Sequence, residues 1–377
     1  MKRVLITGGA GFIGSNLALY LLQKGYDVTV LDNLSNQIHG HDPEKNSLLY
    51  NSIKSKVNFI RGTVTSRHDW EKAIGDIDVI VHLAAETGTG QSMYEVSRYV
   101  DVNSGGTALM LDILANRKTT IQKVVVASSR AVYGEGKYLS AEFGAVYPAH
   151  RKAEDMDKGN FEVTYPGASS LQLVATDEES KIHPSSVYGI SKQNQEQMVM
   201  LVCQSLGIAA VAFRYQNVFG PGQSLSNPYT GILSIFSTLI KNKKAINIFE
   251  DGKESRDFVF IDDVINATIL GLEKDEAIGE VFNVGSGVPT TVMEVAQQLV
   301  KFYGIDVPLQ VTGNYRLGDI RHNYADISKI QRLLGFKPAV SFADGLKQFT
   351  DWVGKQEIRE SRYDESVNEM KEKGLMK

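Results

Sequence analysis

A tyrosine and a lysine lie four residues apart in HPSSVYGISK, residues 183–192. If this segment is helical, Tyr188 and Lys192 share one face of the helix. An ammonium about 4 Å away, at an effective dielectric of ~20, would favour the ionised phenol by roughly 4 kcal/mol. That is about the energy needed to lower a tyrosine pKa from ~10 to near neutrality, where it can act as a base. The pair therefore predicts a proton acceptor with its activator, and an ordinary surface pair is the alternative.

A second candidate site is the glycine-rich segment TGGAGFIG, which follows an apolar run near the N-terminus. It places Gly8, Gly11 and Gly14 where a strand would turn into a helix. Gly8 permits the tight turn, Gly11 lets the backbone approach a pyrophosphate, and Gly14 lets the helix pack closely on the sheet. The helix N-terminus would then point its N–H groups at the phosphates. We interpret the segment as a dinucleotide site; glycines that only make a tight turn are the alternative.

An aspartate, Asp32, ends the next apolar run, as expected for a carboxylate that binds the adenosine ribose. Such a carboxylate accepts hydrogen bonds from both ribose hydroxyls and repels a 2′-phosphate. Asn33 beside it offers further ribose contacts, and no arginine follows directly to accept a phosphate. NAD is therefore predicted as the cofactor in preference to NADP.

The first half of the chain has the pattern of elements that could position these residues. Short, nearly continuous apolar runs, among them Arg3–Thr7, Asp27–Asp32 and Lys123–Ser129, alternate with amphipathic segments. This alternation is typical of a parallel sheet covered by helices on both faces. We expect an α/β fold with a doubly wound parallel sheet of the Rossmann type, forming an NAD-binding domain over residues 1–217.

The rest of the chain is expected to form a smaller C-terminal substrate-binding lobe over residues 218–350. Its region 256–277, and a strand within 280–286, are predicted to pack back toward the first domain. Residues 135–182 have no sustained period and are interpreted as a surface insertion. The charged tail, residues 351–377, is predicted to be a solvated helix or a frayed end.

Composition excludes several classes of protein. The 377-residue chain has a net charge of −4, which gives no electrostatic reason to expect nucleic acid or an anionic membrane as a partner. A single cysteine, Cys203, excludes an internal disulfide and any multi-cysteine metal site, and we expect no metal. No apolar stretch approaches the ~18 residues that span a bilayer, so a cytoplasmic location is expected.

Several further motifs occur in a fixed order along the chain. They are HLAA (82–85), DVNSGGT (101–107), SSRAVYG (128–134), RYQNVFGPGQ (214–223), RDFVFIDDV (256–264) and RLGDIRHNYAD (316–326). Together with the glycine segment and YGISK, they resemble the extended short-chain dehydrogenase/reductase family. The last three are similar to those of its sugar-nucleotide epimerase and dehydratase branch.

The resemblance implies a role for each matching residue. Ser129 would complete a catalytic triad with Tyr188 and Lys192, holding the reacting sugar oxygen while Tyr188 acts as the base. The implied cofactor contacts are Gly8, Gly11, Phe12, Ile13, Gly14, Asp32, Asn33, Val64, Leu83, Ala84, Ala85, Asn103, Ser128, Tyr188, Lys192 and Tyr215. The implied substrate contacts are Gly88, Thr89, Gln91, Ser129, Arg130, Asn217, Arg256, Arg316 and Asp319, of which Arg256 and Arg316 would bind the diphosphate.

The residues after Ser129 separate the reactions of this branch. Arg130 and Ala131 stand where the 4,6-dehydratases of the family carry an Asp-Glu pair, and neither can act as that acid or base. The resemblance therefore favours epimerisation at C4 through a 4-keto intermediate. A keto-sugar reductase is an alternative, although those relatives mostly use NADP. A regulatory NAD sensor is another, although the complete Ser129, Tyr188, Lys192 set disfavours it.

The substrate and the assembly are less specifically indicated. Arg130, the insertion and RYQNVFGPGQ resemble enzymes that epimerise dTDP-L-rhamnose, and an epimerase of another nucleotide-diphosphate hexose is the alternative. Thr87 stands where galactose epimerases carry a lysine, and Thr63 where the family usually has an aspartate. Two predicted helices, one near residues 92–117 and one that carries Lys192 and ends near residue 205, have apolar residues beyond one core-facing stripe. Relatives pair these helices across a two-fold axis, so a homodimer is expected.

Overall fold

The computed structural model describes residues 2–225, 227, 229, 231–356 and 363–377. The strands in these residues are β1 (Arg3–Thr7), β2 (Asp27–Asp32), β3 (Asn58–Arg61), β4 (Val79–His82), β5 (Lys123–Ser129), β6 (Lys137–Ser140), β7 (Gly144–Val146), β8 (Gln172–Val174), β9 (Ala209–Tyr215), β10 (Asn217–Phe219), β11 (Ile246–Ile248), β12 (Ser255–Phe260), β13 (Val281–Val284), β14 (Pro289–Thr291), β15 (Leu309–Val311) and β16 (His322–Asn323).

The helices connect and cover these strands. They are α1 (Phe12–Gln23), α2 (Asn36–His39), α3 (Pro43–Asn46), α4 (Leu48–Ile53), α5 (Arg67–Ile74), α6 (Thr89–Ser92), α7 (Val96–Tyr99), α8 (Gly106–Asn116), α9 (Ala153–Met156), α10 (Val187–Leu206), α11 (Ile232–Lys241), α12 (Ile261–Glu273), α13 (Val292–Tyr303), α14 (Ser328–Leu334), α15 (Phe342–Gly354) and α16 (Tyr363–Glu372). A π-helical turn, Val100–Gly105, joins α7 to α8. None of the helices in the described ranges is long and apolar enough to cross a membrane.

Seven parallel strands form the main sheet, in the order β13-β9-β5-β4-β1-β2-β3. Successive side chains of β1 point to opposite faces. Val4 and Ile6 pack with Leu17 of α1 in one core, and Leu5 packs with Val199 of α10 in the other. Because both faces of the inner strands are buried, these strands read as apolar runs in the sequence. The predicted doubly wound α/β fold is confirmed.

The second lobe is built around a smaller sheet, in which β12 pairs with β10, β14 and β16. Rings from three elements, Phe219, Phe260 and Phe342, pack edge to face in its core. Gly345 of α15 lies so close that an added Cβ would come within 2.8 Å of the Phe219 and Phe260 rings. This contact explains why a glycine stands inside α15, which the sequence did not predict.

The chain returns from the second lobe to the main sheet. Within the region 256–277, β12 stays in the smaller sheet, whereas α12 packs against α1 and β5. β13 then pairs with β9 as the edge strand of the main sheet, as predicted for residues 280–286, so this sheet includes a strand far beyond residue 217. The predicted packing toward the first domain therefore comes from α12 and β13, and not from β12.

The insertion, residues 135–182, is more ordered than the sequence indicated. β6 pairs antiparallel with β7 and β8, and Tyr138, Val146 and Val163 form a small core of their own. Strands of three or four residues are too short to show an alternating pattern, which is why this sheet was missed. The described end of the tail, residues 363–377, also packs on the protein, with Met370 and Met376 buried. The prediction of a solvated tail is wrong for these residues, and residues 357–362 lie outside the described ranges.

Candidate functional site

The glycine segment forms a tight turn between β1 and α1. Gly8 has φ +68°, and an added Cβ would come within 2.8 Å of the Ala84 backbone. A Cβ on Gly14 would lie 2.4 Å from the Gly8 carbonyl oxygen, so close packing of the helix on the strand requires glycine there. α1 begins after Gly11, and no side chain caps it, which leaves the helix N-terminus open to an anion.

The carboxylate of Asp32 is held in place at the end of β2. It accepts hydrogen bonds from the Ala10 amide (2.9 Å) and the Leu34 amide (2.8 Å), and it is 7% exposed. Asp32 lines the same cavity as the glycine turn. A rigid negative charge at this point suits two ribose hydroxyls and repels a phosphate.

We expect the protein to bind NAD at least about 100-fold more tightly than NADP, because like charges brought together at a binding site oppose each other by several kcal/mol. Asp32→Asn should narrow this ratio, since the amide keeps an acceptor oxygen but loses the charge. Asp27→Asn, at the exposed start of the same strand, is the matched control. Calorimetric titration measures both affinities, and equal values for the unmodified protein would contradict the role of Asp32.

A cavity of about 480 Å³ runs from the glycine turn across the carboxyl ends of the main-sheet strands. Every predicted cofactor residue except Asn103 lines it. The hydroxyl of Ser128 is buried in the cavity wall and has no hydrogen-bond partner in the described part of the chain. An unpartnered buried hydroxyl is unfavourable unless a ligand bonds to it. The glycine turn, the Asp32 carboxylate and the Ser128 hydroxyl together fit a bound dinucleotide.

The predicted triad comes together in one place. Ser129 ends β5, and Tyr188 and Lys192 lie one turn apart on α10, whose first turn is capped by the Ser186 hydroxyl. A Cβ on Gly189 would lie 2.5 Å from the Ala131 carbonyl oxygen, so α10 packs closely on the turn after β5. This contact holds Tyr188 beside Ser129, as a serine–tyrosine proton relay requires.

The electrostatics of the triad differ in one respect from the sequence-based expectation. Burial raises the pKa of Tyr188, and the hydrogen bond from Ser129 and the charge of Arg130 oppose that rise. Burial also lowers the pKa of Lys192 to about 7, while its ammonium donates to the Ala127 carbonyl oxygen (2.9 Å). Ser129 and Arg130 therefore favour the tyrosinate, while burial disfavours the Lys192 ammonium that the sequence assigned as its activator.

A second cavity of about 300 Å³ shares Arg130, Tyr188 and Asn217 with the first, so the two are continuous. Arg130 donates from Nε to the Asn217 side-chain oxygen (2.9 Å). The predicted substrate residues Gly88 and Thr89 also line both cavities. A ligand in the second cavity would therefore reach the triad at the junction.

Two arginines line the far part of the second cavity. Arg256 donates to an Asp319 carboxylate oxygen (3.1 Å), and Arg316 stacks on the Phe249 ring at 4.9 Å. The Arg316 Nε has no hydrogen-bond partner in the described ranges. Burial alone would raise the pKa of Asp319, but the surrounding guanidinium groups, Arg256 first, outweigh it and lower that pKa. This is a site with excess positive charge, as a diphosphate requires.

Two predicted site residues do not line either cavity. Asn103 is buried and bonds to both main-chain groups of Glu86 and to the Ser191 hydroxyl. Gln91 is buried among Gln37, Glu95 and Tyr99. Both side chains hold the loop that follows β4 in place. The position of a residue in or near a motif does not reveal which way its side chain points. Direct ligand contacts were therefore predicted for Asn103 and Gln91, although both side chains point into the protein.

Other residues line the second cavity without having been predicted from the sequence. They are aromatic, apolar, amide and acidic side chains, including Phe236, Asn247, Phe249, Glu254 and Met370. Glu254 lies two residues before Arg256, the first residue of the quoted motif RDFVFIDDV. The residues that flank this motif could therefore have indicated Glu254. Met370 belongs to the tail, where no sequence pattern pointed to a site. In the described ranges, no group of three or more His, Cys, Asp or Glu side chains is arranged to hold a metal ion.

The charge of the second cavity depends on pH through Glu254. It is 7% exposed, and its Oε2 has no hydrogen-bond partner among the described residues. Burial raises its pKa to about 7; the carboxylates of Glu250 and Asp319 add to the rise, and Arg256 opposes it. Glu254 is therefore partly protonated near neutrality, and its charge appears as the pH increases.

We expect the affinity for a sugar nucleotide, whose diphosphate does not titrate near neutrality, to fall as the pH rises through about 7, because ionised Glu254 repels the phosphates. The direction follows from charge repulsion: a bound anion favours the protonated form of Glu254, so binding takes up a proton, and the raised pKa places this effect near pH 7. Glu254→Gln should make the dissociation constant nearly independent of pH over this range. Glu276→Gln, at an exposed position, should keep the wild-type profile. A flat profile in the wild type would contradict the prediction.

The sequence profile described as "NAD dependent epimerase/dehydratase family" matches residues 4–152 and 163–285. A dTDP-L-rhamnose 4-epimerase from Burkholderia thailandensis is 37% identical over 357 residues, which is 94% of this chain and 96% of the relative.

Solved structures agree with this match. The UDP-glucose 4-epimerase of Thermotoga maritima, solved with UDP-glucose, has a TM-score of 0.75 and 27% identity, over 94% of this chain and 99% of that one. The UDP-glucuronic acid 4-epimerase of Bacillus cereus, solved with UDP-glucuronic acid and NAD, has a TM-score of 0.75 and 28% identity, with the same coverage. The family resemblance inferred from the sequence is confirmed, and the cofactor is NAD. The chain belongs to the NAD dependent epimerase/dehydratase family and is an NAD-dependent enzyme.

Proposed function

We propose that this enzyme is a sugar-nucleotide 4-epimerase that oxidises C4 of its substrate transiently and returns the hydride to the same carbon. One observation carries the proposal: Tyr188 and Arg130 line both cavities, at the junction between the cofactor site and the arginine-rich site. A sugar whose diphosphate binds at Arg256 and Arg316 would place its ring at that junction. The 4-epimerases among the relatives support the same reaction.

The residues at the junction have distinct tasks in this reaction. When bound, NAD⁺ supplies the hydride acceptor and a positive charge near the triad. Tyr188 accepts the proton of the C4 hydroxyl as the C4 hydrogen leaves as hydride, and Ser129 donates a hydrogen bond to the oxygen that becomes a ketone. Tyr188 then returns its proton to the same oxygen when the hydride adds to the opposite face of C4. Arg130 opposes the burial-induced rise of the Tyr188 pKa.

Elimination of water is disfavoured by the two residues after Ser129. Arg130 is a cation whose pKa burial lowers to about 10, and its Nε donates to Asn217. It remains protonated at neutral pH and lacks the acceptor that proton abstraction at C5 would need. Ala131 has no ionisable group. The site therefore contains the machinery for hydride exchange at C4 and lacks an acid–base pair beside Ser129.

The proposed substrate is a dTDP-6-deoxyhexose such as dTDP-L-rhamnose. The support is the 37% identity to a dTDP-L-rhamnose 4-epimerase across nearly the full length of both chains. The alternative is a UDP-hexose or UDP-uronate, and it is favoured by the structural similarity to enzymes solved with UDP-glucose and with UDP-glucuronic acid. Incubation with a panel of these sugar nucleotides, followed by separation of the C4 epimers, distinguishes the two.

The reaction itself is tested with substrate deuterated at C4. The proposal expects epimerised product that keeps the label at C4, no deuterium entering the sugar from labelled solvent, and no accumulation of NADH. Entry of solvent deuterium at C3 or C5 would indicate proton abstraction from carbon. Steady release of NADH would indicate a dehydrogenase. Either result would refute the 4-epimerase proposal and leave the family assignment unchanged.

We also propose that the enzyme is a homodimer formed through α7, the π-helical turn and α10. Apolar side chains are exposed on these elements: Val96 (45%), Val100 (43%), Ile190 (47%) and Leu201 (66%). Ile190 and Leu201 lie eleven residues apart, three helical turns along one face of α10. Exposed apolar groups that share a surface are typical of subunit interfaces.

The dimer is expected to dissociate when Leu201 is replaced by aspartate, because a charge would be buried in the apolar contact. Light scattering at micromolar concentration should give twice the chain mass for the wild type and the single-chain mass for the variant. Leu48→Asp is the matched control, since Leu48 is 61% exposed on a different surface. A monomeric wild type would refute the proposal.

A further inference from the structure

The C-terminal segment, residues 363–377, is hydrogen-bonded to the stretch that contains Arg316, an arginine predicted to bind the diphosphate. Its last residues form main-chain hydrogen bonds on either side of Arg316. Tyr315 and Lys377 exchange two such bonds, of 3.0 and 3.1 Å, and the Leu317 amide donates a third to the segment at 2.9 Å. Arg316 itself lines the second cavity. The end of the chain therefore borders the site where the arginines lie.

A carboxylate of the C-terminal segment also bonds to the opposite wall of the site. Glu369 accepts hydrogen bonds from the Tyr229 hydroxyl (2.7 Å) and the Tyr94 hydroxyl (3.1 Å), and the two hydroxyls are 2.9 Å apart. Tyr229 lines both cavities, and Tyr94 follows α6. Hydrogen bonds to an ionised acceptor are stronger than neutral ones, so Glu369 fixes the position of Tyr229.

One side chain of the C-terminal segment lies in the cavity wall itself. Met370 is 4% exposed and lines the second cavity. Its sulfur is 3.2 Å from the place that a Cβ on Gly90 would occupy. Gly90 follows Gly88 and Thr89, two of the residues predicted to contact the substrate. Met370 therefore closes the cavity at its sugar end, with a flexible apolar group that adapts to the shape of its neighbour.

We propose that the C-terminal segment is a wall of the sugar-nucleotide site, in which Met370 contacts the bound substrate and Glu369 positions Tyr229. The identity of the ligand rests on the proposed function; the placement of the segment does not. Three independent contacts carry the inference: the main-chain bonds beside Arg316, the two tyrosine hydroxyls on Glu369, and Met370 against Gly90. The segment should contribute mainly to substrate affinity, because none of its own residues lines the cofactor cavity and it reaches that cavity only through Tyr229.

The test uses the full-length, NAD-loaded enzyme and single substitutions. Glu369→Ala and Met370→Ala should each raise both the KM and the directly titrated Kd for dTDP-L-rhamnose or UDP-glucose, whichever the wild type binds, by about tenfold. Neither should change kcat or the affinity for NAD by more than about twofold. Glu369→Gln should retain most of the affinity, because its amide oxygen still accepts from the tyrosines. Glu372→Ala, which removes an exposed carboxylate from the same helix, is the control.

The outcomes separate this inference from the proposed function. Unchanged KM and Kd in both Glu369→Ala and Met370→Ala would overturn the inference, and so would an equal effect of Glu372→Ala. If the wild type binds a sugar nucleotide without epimerising it, the proposed function fails, while the Kd values still decide the inference. A wild type that binds neither sugar nucleotide would overturn both. Unchanged NAD affinity in the variants excludes misfolding as the cause of a loss.

Discussion

Tyr188→Phe should lower kcat by about 10²–10⁴-fold, the usual contribution of a general base, and leave the affinity for NAD almost unchanged. The substitution removes one hydroxyl at the junction of the two cavities and keeps the ring that packs near Tyr99. Proton transfer from the C4 hydroxyl then loses its proposed acceptor, and neither the neutral hydroxyl of Ser129 nor the cation of Arg130 can replace it. Steady-state kinetics with the best substrate of the panel measures the effect.

The control for this substitution is Tyr26→Phe. The Tyr26 hydroxyl donates to Glu273 near the surface and takes no part in either cavity, so this variant should keep wild-type kcat. If Tyr188→Phe retained more than about a tenth of the activity, a contribution of this size could not come from Tyr188, and another base would have to be sought.

The largest loss of stability is expected for Arg321→Leu. Arg321 is 0% exposed and donates to Glu162, Glu250 and Asp251, the first of which lies in the insertion. Of these carboxylates only Glu250 is buried with Arg321, whereas Glu162 and Asp251 reach solvent. Removing one member of a buried ion pair typically lowers the free energy of unfolding by about 3–5 kcal/mol. We expect the lower end of that range, because Arg151 still pairs with Glu250. Urea denaturation monitored by circular dichroism measures the change.

Arg332→Leu provides the comparison for Arg321. Arg332 is exposed near the end of α14, and its replacement should change the free energy of unfolding by less than about 0.5 kcal/mol. If Arg321→Leu lowered the free energy of unfolding by no more than this, the buried guanidinium would make no net contribution to stability. The insertion would then be held to the second lobe by its other contacts alone.

The parts of the site that were predicted from the sequence are those set by local spacing. The glycine turn, Asp32 and the Tyr188, Lys192 pair each depend on residues within one strand-turn-helix unit or one helical turn, and the structure places all of them at one cavity. The inner parallel strands were visible because they are buried on both faces. Local pattern and tertiary structure agree at these positions.

The parts that could not be predicted depend on contacts between residues distant in the sequence. Asn103 lies in a matching motif and Gln91 follows another, yet the side chains of both point into the protein. Arg321 belongs to a quoted motif, but its role depends on carboxylates from two other regions. Met370 belongs to a charged tail with no pattern of its own. The charge that favours the Tyr188 tyrosinate could not be assigned from helical spacing, because burial changes the basicity of Lys192 as well.

The return of α12 and β13 to the main sheet limits how this enzyme could be recombined with its relatives. A chimaera joined at residue 217 would receive its edge strand and one covering helix from the other parent, although both pack on the first domain. Val281 to Val284 would then have to fit a foreign β9, and a first domain expressed alone would expose the unpaired edge of β9 to association with other chains. Exchange of substrate specificity within the family is therefore better made by transferring separate segments of the second lobe, with residues 261–284 kept from the parent that supplies the NAD site.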